Sequence, residues 1–157
     1  MYEILLKFHS LLRWLALLFI VAAFLKSLIG MAGKQRWSVV DNKLSIYSLV
    51  GAHLQLVIGL VLYFLSPVVQ SALEVMKSAG MGAVMKDATL RFWLVEHFLT
   101  MLIAIVLVTI GRVKAKKAAE DAKKHKYIVI FFFIALLLIL SRIPWPWMEV
   151  ARPLWRY

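Results

Sequence analysis

The sequence predicts an all-α integral membrane protein, a four-transmembrane-helix up-down bundle in a single domain over residues 1–157. Three observations lead to this prediction. Of the 157 residues, 63% are hydrophobic and the mean hydropathy is +0.84, whereas a soluble domain contains about 45–50% apolar residues. Four stretches are apolar for about the 20 residues that a helix needs to cross the hydrocarbon core. Lysine and arginine concentrate between these stretches, as orientation signals do in membrane proteins.

Each of the four spans ends at a recognisable signal. The spans cover residues 4–30, 44–66, 90–111 and 127–143. The first span starts with Glu3 instead of a basic segment and stays apolar past the small residues that could serve as a cleavage site, which favours an uncleaved helix over a signal peptide. Pro67 ends the second span, and Pro144 ends the fourth, because proline cannot continue the helical hydrogen bonds. Tyr127 and Trp145 anchor the short fourth span at the two interfaces.

Basic residues in the connections predict the orientation of the bundle. The third connection is the most basic, the first is also basic, and the middle one carries few cations, balanced by Glu74 and Asp87. The basic residues of the first and third connections are Lys34, Arg36, Lys43, Arg112, Lys114, Lys116, Lys117, Lys123, Lys124 and Lys126. The positive-inside rule then places these two connections in the cytoplasm and both termini outside, with the protein integral to the cytoplasmic (inner) membrane.

The segments outside the spans carry further patterns. Residues 68–89 are amphipathic and are interrupted by Gly80 and Gly82, which favours two short surface helices between spans two and three. The aromatic and basic residues of the tail are typical of an interfacial belt; they are Trp145, Trp147, Arg152, Trp155 and Arg156. His125 lies in a run of lysines, and we expect it to be solvated.

Composition also excludes several classes of function. The chain has no cysteine, which excludes disulfides, thiolate metal sites, iron–sulfur clusters and covalent haem attachment. The net charge is +11. The basic residues responsible for it lie between the apolar runs and do not interleave with aromatic residues, so they do not indicate nucleic-acid binding. The lipid bilayer is the partner that the composition predicts.

Ionisable residues inside the spans are the strongest functional signal, because each costs about 2.5–3.5 kcal/mol at a helix centre on insertion scales. Span one carries His9 and Arg13, span two His53, and span three Glu96 and His97. Two stripes at spacings of three and four carry a histidine near one end and continue from it with mostly small or flexible residues. They are His9, Arg13, Ala16, Ile20, Ala23 and Ser27 on span one, and Trp93, His97, Met101, Ala104, Val108 and Gly111 on span three.

Depth favours one pair among the three histidines in the spans. With a rise of about 1.5 Å per residue, His9 and His97 lie roughly 10 Å inside their outer helix ends, and His53 lies about 20 Å deep. Spans one and three are diagonal in an up-down bundle, which leaves room between them. On span two, a stripe of Gly51, Gln55 and Gly59 predicts close helix contact, and His53 lies about 200° away from Gln55.

These positions favour a b-type haem held between His9 and His97, since neutral imidazole suits both free axial positions of a porphyrin iron. Arg13, Arg91 and Arg142 belong to the same outer half and suit the propionate carboxylates. His53 is the alternative ligand, paired with His97, or part of a quinone or proton site. The protein would then be an electron-transfer subunit without substrate chemistry of its own, with a quinone, a redox protein or a second copy of the chain as partner.

Other interpretations stay open on the sequence. Each histidine would instead form helix–helix hydrogen bonds, and Arg13 or Arg142 would pair with Glu96 or extend to the interface. The protein would then be a non-enzymatic accessory or assembly subunit of a larger membrane complex. A small transporter or metal-handling protein using His9, His53 and His97 is a third hypothesis, against which the spans show neither paired breaks nor inverted repeats.

Several segments resemble one family. They are KFHSLLRW (7–14), GAHLQLVIGLVLYFLSP (51–67), RFWLVEHFLTML (91–102), IGRVKAKK (110–117) and IPWP (143–146). These segments resemble small four-helix membrane proteins of Bacteroidetes that are commonly labelled "cytochrome B" or uncharacterised, and the resemblance covers most of the chain. It implies a b-type haem carried by His9, His53 or His97. Because no span has two histidines, the resemblance does not extend to the two-haem arrangement of larger cytochromes b.

Overall fold

The computed structural model describes residues 1–154, and its regular elements are helices. They are α1 (Tyr2–Ala32), α2 (Val39–Leu65), α3 (Pro67–Ala79), α4 (Met81–Lys86), α5 (Ala88–Lys117) and α6 (Asp121–Ser141). Helices α1, α2, α5 and α6 are long and apolar enough to cross a membrane, which confirms the predicted four-helix membrane fold. Trp155 and Arg156 of the predicted interfacial tail lie outside the described residues.

The four long helices form an up-down bundle. Helix α1 packs on α2 and α6, α5 packs on α6 and α2, and α1 and α5 lie on a diagonal. Large apolar side chains cover the outer surface; for example, Leu18 is 62% exposed and Leu137 is 54% exposed, as expected for helices that face lipid. We call the end that carries the N-terminus, α3 and α4 the histidine end, and the end with residues 33–38 and 118–120 the basic end.

Small residues allow the helices to approach closely. A Cβ atom on Gly51 of α2 would lie 3.3 Å from the Cα of Ala16 on α1, and a Cβ on Gly111 of α5 would lie 2.7 Å from the Cβ of Phe131 on α6. The α1–α2 contact follows the stripe that begins at Gly51, as the sequence predicts. Close packing of this kind gives dispersion energy that apolar side chains exposed to lipid do not supply.

The helices at the basic end are longer than the predicted spans. Helix α5 continues to Lys117 and α6 begins at Asp121, so only residues 118–120 connect them. The prediction of a loop from Arg112 to Lys126 is therefore wrong. Alanine, lysine and glutamate are good helix formers. The helices therefore continue beyond the point where lysine and glutamate end the apolar span.

A capping box starts α2. Ser38 precedes the helix, its hydroxyl accepts a hydrogen bond from the Asp41 backbone N–H at 3.3 Å, and the Asp41 carboxylate accepts one from the Ser38 backbone N–H at 2.8 Å. The same carboxylate also accepts a bond from the Ser38 hydroxyl. Asp41 is only 2% exposed, so these bonds satisfy a buried charge together with Lys26, whose Nζ lies 3.4 Å away.

Replacing Ser38 by alanine is expected to lower the free energy of unfolding by about 1 kcal/mol, because it removes the cap of α2. Unfolding of the detergent-solubilised protein, followed by circular dichroism, measures this loss. Ser78→Ala is the matched control, because Ser78 is exposed and its hydroxyl bonds only to backbone carbonyls of its own helix α3; we expect a change within about 0.5 kcal/mol there. Equal losses in the two variants would contradict a specific role of the capping box.

The segment between α2 and α5 forms the two short helices that the sequence predicts. Ser66 caps α3, Pro67 occupies its first turn, and Gly80 separates α3 from α4 with a φ of 82° that favours glycine. Val69, Ala72, Val84 and Leu94 are buried together. The short helices therefore pack on α5 and cover part of the histidine end of the bundle.

The tail after α6 folds back over the histidine end. Arg13 Nη2 and Trp14 Nε1 of α1 donate hydrogen bonds to the Leu154 carbonyl at 2.9 Å and 3.0 Å. The indole of Trp145 donates to the Leu140 carbonyl at 2.8 Å and its ring lies 6.4 Å from that of Trp14. The tail thus contributes to the wall of the space between the helices.

Candidate functional site

A cavity of about 190 Å³ lies between the helices at the histidine end. The polar side chains that line it include those of His9 and Arg13 on α1, Gln55 on α2, His97 on α5 and Arg152 in the tail. The remaining wall is mostly apolar, with residues such as Leu17, Leu56, Phe98, Met101 and Ile105. His9 and His97, which belong to diagonal helices, therefore both line this cavity.

His97 is held by a hydrogen bond from its ring. Its Nδ1 lies 2.9 Å from the backbone carbonyl of Arg142. Because a carbonyl oxygen only accepts, Nδ1 carries the proton, and Nε2 of the neutral ring keeps its lone pair. Metal-ligating histidines commonly donate their other ring N–H to a carbonyl or carboxylate, which fixes both the tautomer and the ring orientation. The Arg142 carbonyl thus fixes the tautomer and the orientation of the His97 ring.

A π-helical turn precedes His97. Residues Phe92–Glu96 adopt this wider turn inside α5, and π-turns of this kind are frequent at functional sites because they rotate the side chains that follow. The rings of Phe92 and Trp93 lie 5.8 Å and 5.5 Å from the His97 ring. The aromatic rings and the Arg142 carbonyl together restrict the imidazole to one orientation.

His9 is positioned by α2. Its backbone carbonyl accepts a hydrogen bond from Gln55 Nε2 at 2.9 Å, and a Cβ atom on Gly59 would lie 3.3 Å from its Cε1. The ring therefore occupies space that the absence of a side chain at Gly59 provides. Within residues 1–154, the buried Nδ1 of His9 has no hydrogen-bond partner. A buried polar atom left unbonded costs about 1–3 kcal/mol, so this imidazole is suited to bind a further group.

Two guanidinium groups line the cavity. Arg13 lies one turn after His9 and bonds the Leu154 carbonyl, with the Ser10 hydroxyl 3.4 Å from the same Nη2. Arg152 lies over the Trp93 ring, 5.2 Å from its centroid. From the sequence, Arg152 was predicted to belong to the interfacial belt and not to the site. The helix-ending Pro144 and Pro146 indicate that the chain turns there, but only the folded tail shows where Arg152 lies.

Arg91 and Arg142 lie outside the described cavity wall. Arg91 Nε donates to Glu96 Oε1 at 2.7 Å, and its Nη1 donates to the Met85 carbonyl at 2.7 Å. The Nε of Arg142 is 3.7 Å from Glu96 Oε2, as the alternative interpretation of Arg142 proposes. The structure thus pairs both side chains with Glu96, and Arg142 contributes to the site through its backbone carbonyl.

His53 also lies away from the cavity. It is exposed on the outer surface of α2, and its Nδ1 donates to the Leu49 carbonyl at 2.8 Å. Gln55 is on the inner side of the same helix and lines the cavity, in agreement with the angle of about 200° between these two positions. The structure therefore does not bring His53 to His97.

His125 is buried, so the prediction that it is solvated is wrong. Its exposed fraction is 0%, its ring lies 5.1 Å from that of Trp37, and it contacts Gly30 of α1. Because α6 begins at Asp121, His125 lies in a helical turn and faces the bundle while neighbouring lysines face outward. The lysines around His125 in the sequence suggested an exposed loop, whereas one face of this helix is buried.

The site lacks the ligands for a metal ion held by protein alone. Among the described residues, no group of three His, Cys, Asp or Glu side chains is close enough to bind one. A porphyrin supplies four nitrogen donors itself, so two histidines complete its coordination. His9 and His97 therefore match the number of donors that a porphyrin leaves to the protein.

Comparisons of the chain with models of known protein families, with curated proteins and with solved structures find no match. The resemblance to small four-helix membrane proteins described above therefore stays a prediction.

Proposed function

We propose that the cavity binds a b-type haem, with His97 and His9 as axial ligands, and that the protein transfers single electrons within the membrane. The observation that carries this proposal is the hydrogen bond from His97 Nδ1 to the Arg142 carbonyl. This hydrogen bond leaves the lone pair of Nε2 free to bind iron. The His97 ring lines the same cavity as His9. Two neutral imidazoles would hold the haem iron, and haem held in this way would supply one-electron transfer.

Each part of the cavity has a role in this proposal. Arg13 and Arg152 are cations of the cavity wall, and their guanidinium groups would hold the propionate carboxylates. The aliphatic and aromatic wall excludes water and lowers the local dielectric, which adjusts the reduction potential. When bound, haem supplies the reversible one-electron change at its iron. Because the cavity is smaller than the roughly 300–1,000 Å³ of common ligand sites, binding requires flexible side chains such as Met101 to move outward.

The distribution of lysine and arginine favours one orientation of the bundle in the membrane. Following the positive-inside rule, we place the basic end in the cytoplasm and the histidine end, with its cavity, at the outer side of the inner membrane. Electrons would then enter or leave near the outer surface, through a membrane quinone or a redox protein.

A visible spectrum tests this function. The full chain, expressed with added haem precursor and purified in mild detergent, is expected to show a Soret band and, after reduction with dithionite, an α band. A pyridine extract is expected to give one haem b per chain. A colourless preparation under these conditions would overturn the proposal. If that colourless preparation carried a stoichiometric protein partner, an accessory role in a membrane complex would be favoured.

A further inference from the structure

The basic end contains a second pocket that the haem proposal does not use. It has a volume of about 350 Å³ and lies where the start of α2 meets the end of α5 and the start of α6. Arg112, Lys116 and Lys124 line it, together with Asn42 and Trp37. Three cations from two helices thus face one concave space at the edge of the bundle.

Arg112 is buried without a counter-charge. Arg112 is 8% exposed. Its Nη2 donates a hydrogen bond to Asn42 Oδ1 at 2.9 Å. Across residues 1–154, no carboxylate lies within ion-pair distance of its guanidinium. Buried charges in proteins are normally paired, because desolvation of a lone ion is costly. The guanidinium therefore has unused capacity to bind an anion.

The nearby carboxylates are already engaged. Residues 26–43 and 112–126 contain eleven Lys and Arg but only three Asp and Glu. Asp41 pairs with Lys26 at 3.4 Å, Glu120 with Lys123 at 2.6 Å, and Asp121 with Lys124 at 2.8 Å. The remaining positive charge around the pocket, from Arg112 and Lys116 above all, is not neutralised by the described side chains.

We infer that this pocket binds a phosphate group, supplied by an anionic phospholipid headgroup or by a soluble phosphate. Guanidinium binds phosphate oxygens with two parallel hydrogen bonds, and lysine adds a mobile charge. Val39, the first residue of α2, also lines the pocket. Val39 is 69% exposed and offers apolar surface beside the pocket, which suits a lipid. This inference is independent of the haem proposal.

Thermal unfolding of the purified full chain in neutral detergent tests the site. Lysophosphatidylglycerol, lysophosphatidylcholine with the same acyl chain, and inorganic phosphate at constant ionic strength are titrated separately. We expect the anionic lipid to raise the unfolding midpoint in a saturable way, and the zwitterionic lipid to have a clearly smaller effect. A matching effect of inorganic phosphate would show that the phosphate group alone is recognised, whereas an effect of the anionic lipid alone would identify a headgroup site.

Variants locate the effect. Arg112→Gln is expected to weaken the apparent affinity about ten-fold, since hydrogen bonds to a charged group are lost. Lys116→Gln, an exposed residue of the pocket wall, is expected to weaken it a few-fold by loss of charge. Lys117→Gln is the matched control, because it removes the same charge from the exposed end of the same helix, outside the pocket wall, and we expect less than a two-fold change.

Four results would overturn the inference, three of them with the parent protein and the lysine variants and one with Arg112→Gln. The first three are equal stabilisation by both lipids, no stabilisation by any of the three probes, and equal weakening in Lys116→Gln and Lys117→Gln. Unchanged affinity in a folded Arg112→Gln protein would do the same. If Arg112→Gln does not fold, the comparison of Lys116→Gln with Lys117→Gln decides, because both positions are exposed and their substitution leaves the core intact.

Discussion

Replacing His97 by alanine is expected to abolish haem binding, so that the purified variant lacks the Soret band of the parent protein. The change removes the ring whose Nδ1–H is fixed by the Arg142 carbonyl. It thereby removes Nε2, the atom proposed to bind the iron. His9→Ala is expected to leave residual binding, at least ten-fold weaker, with a shifted Soret maximum, because one axial ligand is lost. Absorption spectra and haem titration of each variant measure both effects.

The matched control is His53→Ala. His53 is exposed on the outer surface of α2 and away from the cavity, so its removal is expected to leave the spectrum unchanged. Free imidazole added to His97→Ala is expected to restore part of the Soret band, because it replaces the missing ligand without restoring the side chain. Unchanged spectra in both His9→Ala and His97→Ala would refute this ligand pair, and a loss in His53→Ala would favour the alternative ligand.

Replacing Gly30 by alanine is expected to destabilise the bundle by about 1–3 kcal/mol, the range for overpacking a filled core. A Cβ atom there would lie 2.7 Å from Nε2 and 2.8 Å from Nδ1 of His125. His125 is fully buried against Trp37, so its ring has little room to move. The midpoint of thermal or denaturant unfolding in detergent measures the loss.

Two further variants identify the cause. Gly82→Ala introduces a methyl group where no atom lies within 4 Å, and we expect it to stabilise by about 0.4–1 kcal/mol through the unfolded state. In the double variant Gly30→Ala/His125→Ala, the added methyl meets no ring, so the two effects are expected to be non-additive by about 0.5–3 kcal/mol. Strict additivity, or a stable Gly30→Ala protein, would show that the α1–α6 contact is looser than described.

The pattern of apolar residues was sufficient to predict the helices. The four spans, the end of α2 before Pro67, and the short helices on either side of Gly80 follow from length, hydropathy and proline or glycine positions. Those signals are local, because a helix in lipid must satisfy its own backbone hydrogen bonds. The helix ends at the basic side were not predictable in the same way, since charged helix formers such as Lys116 and Lys123 continue a helix beyond the apolar core.

The candidate site was predicted only in part. The stripes that contain His9 and His97 face the interior, and both histidines line one cavity. The propionate role that the sequence suggested for Arg91 and Arg142 finds no support in the cavity wall, because both side chains pair with Glu96. Arg152 lies in the wall through a fold of the tail that no helical periodicity describes.

The sequence by itself determined the number of spans, their inward-facing stripes and the concentration of charge at one end. These properties depend on residue type and spacing, because each helix must match the thickness and apolar character of the bilayer by itself. Only the tertiary structure decided which groups lie together: the His97 ring with the Arg142 carbonyl, the His125 ring with Gly30 and the Trp37 ring, and Arg112 with Asn42. Such pairs depend on the rotation of each helix about its axis and on the π-turn before His97, and packing between helices sets both.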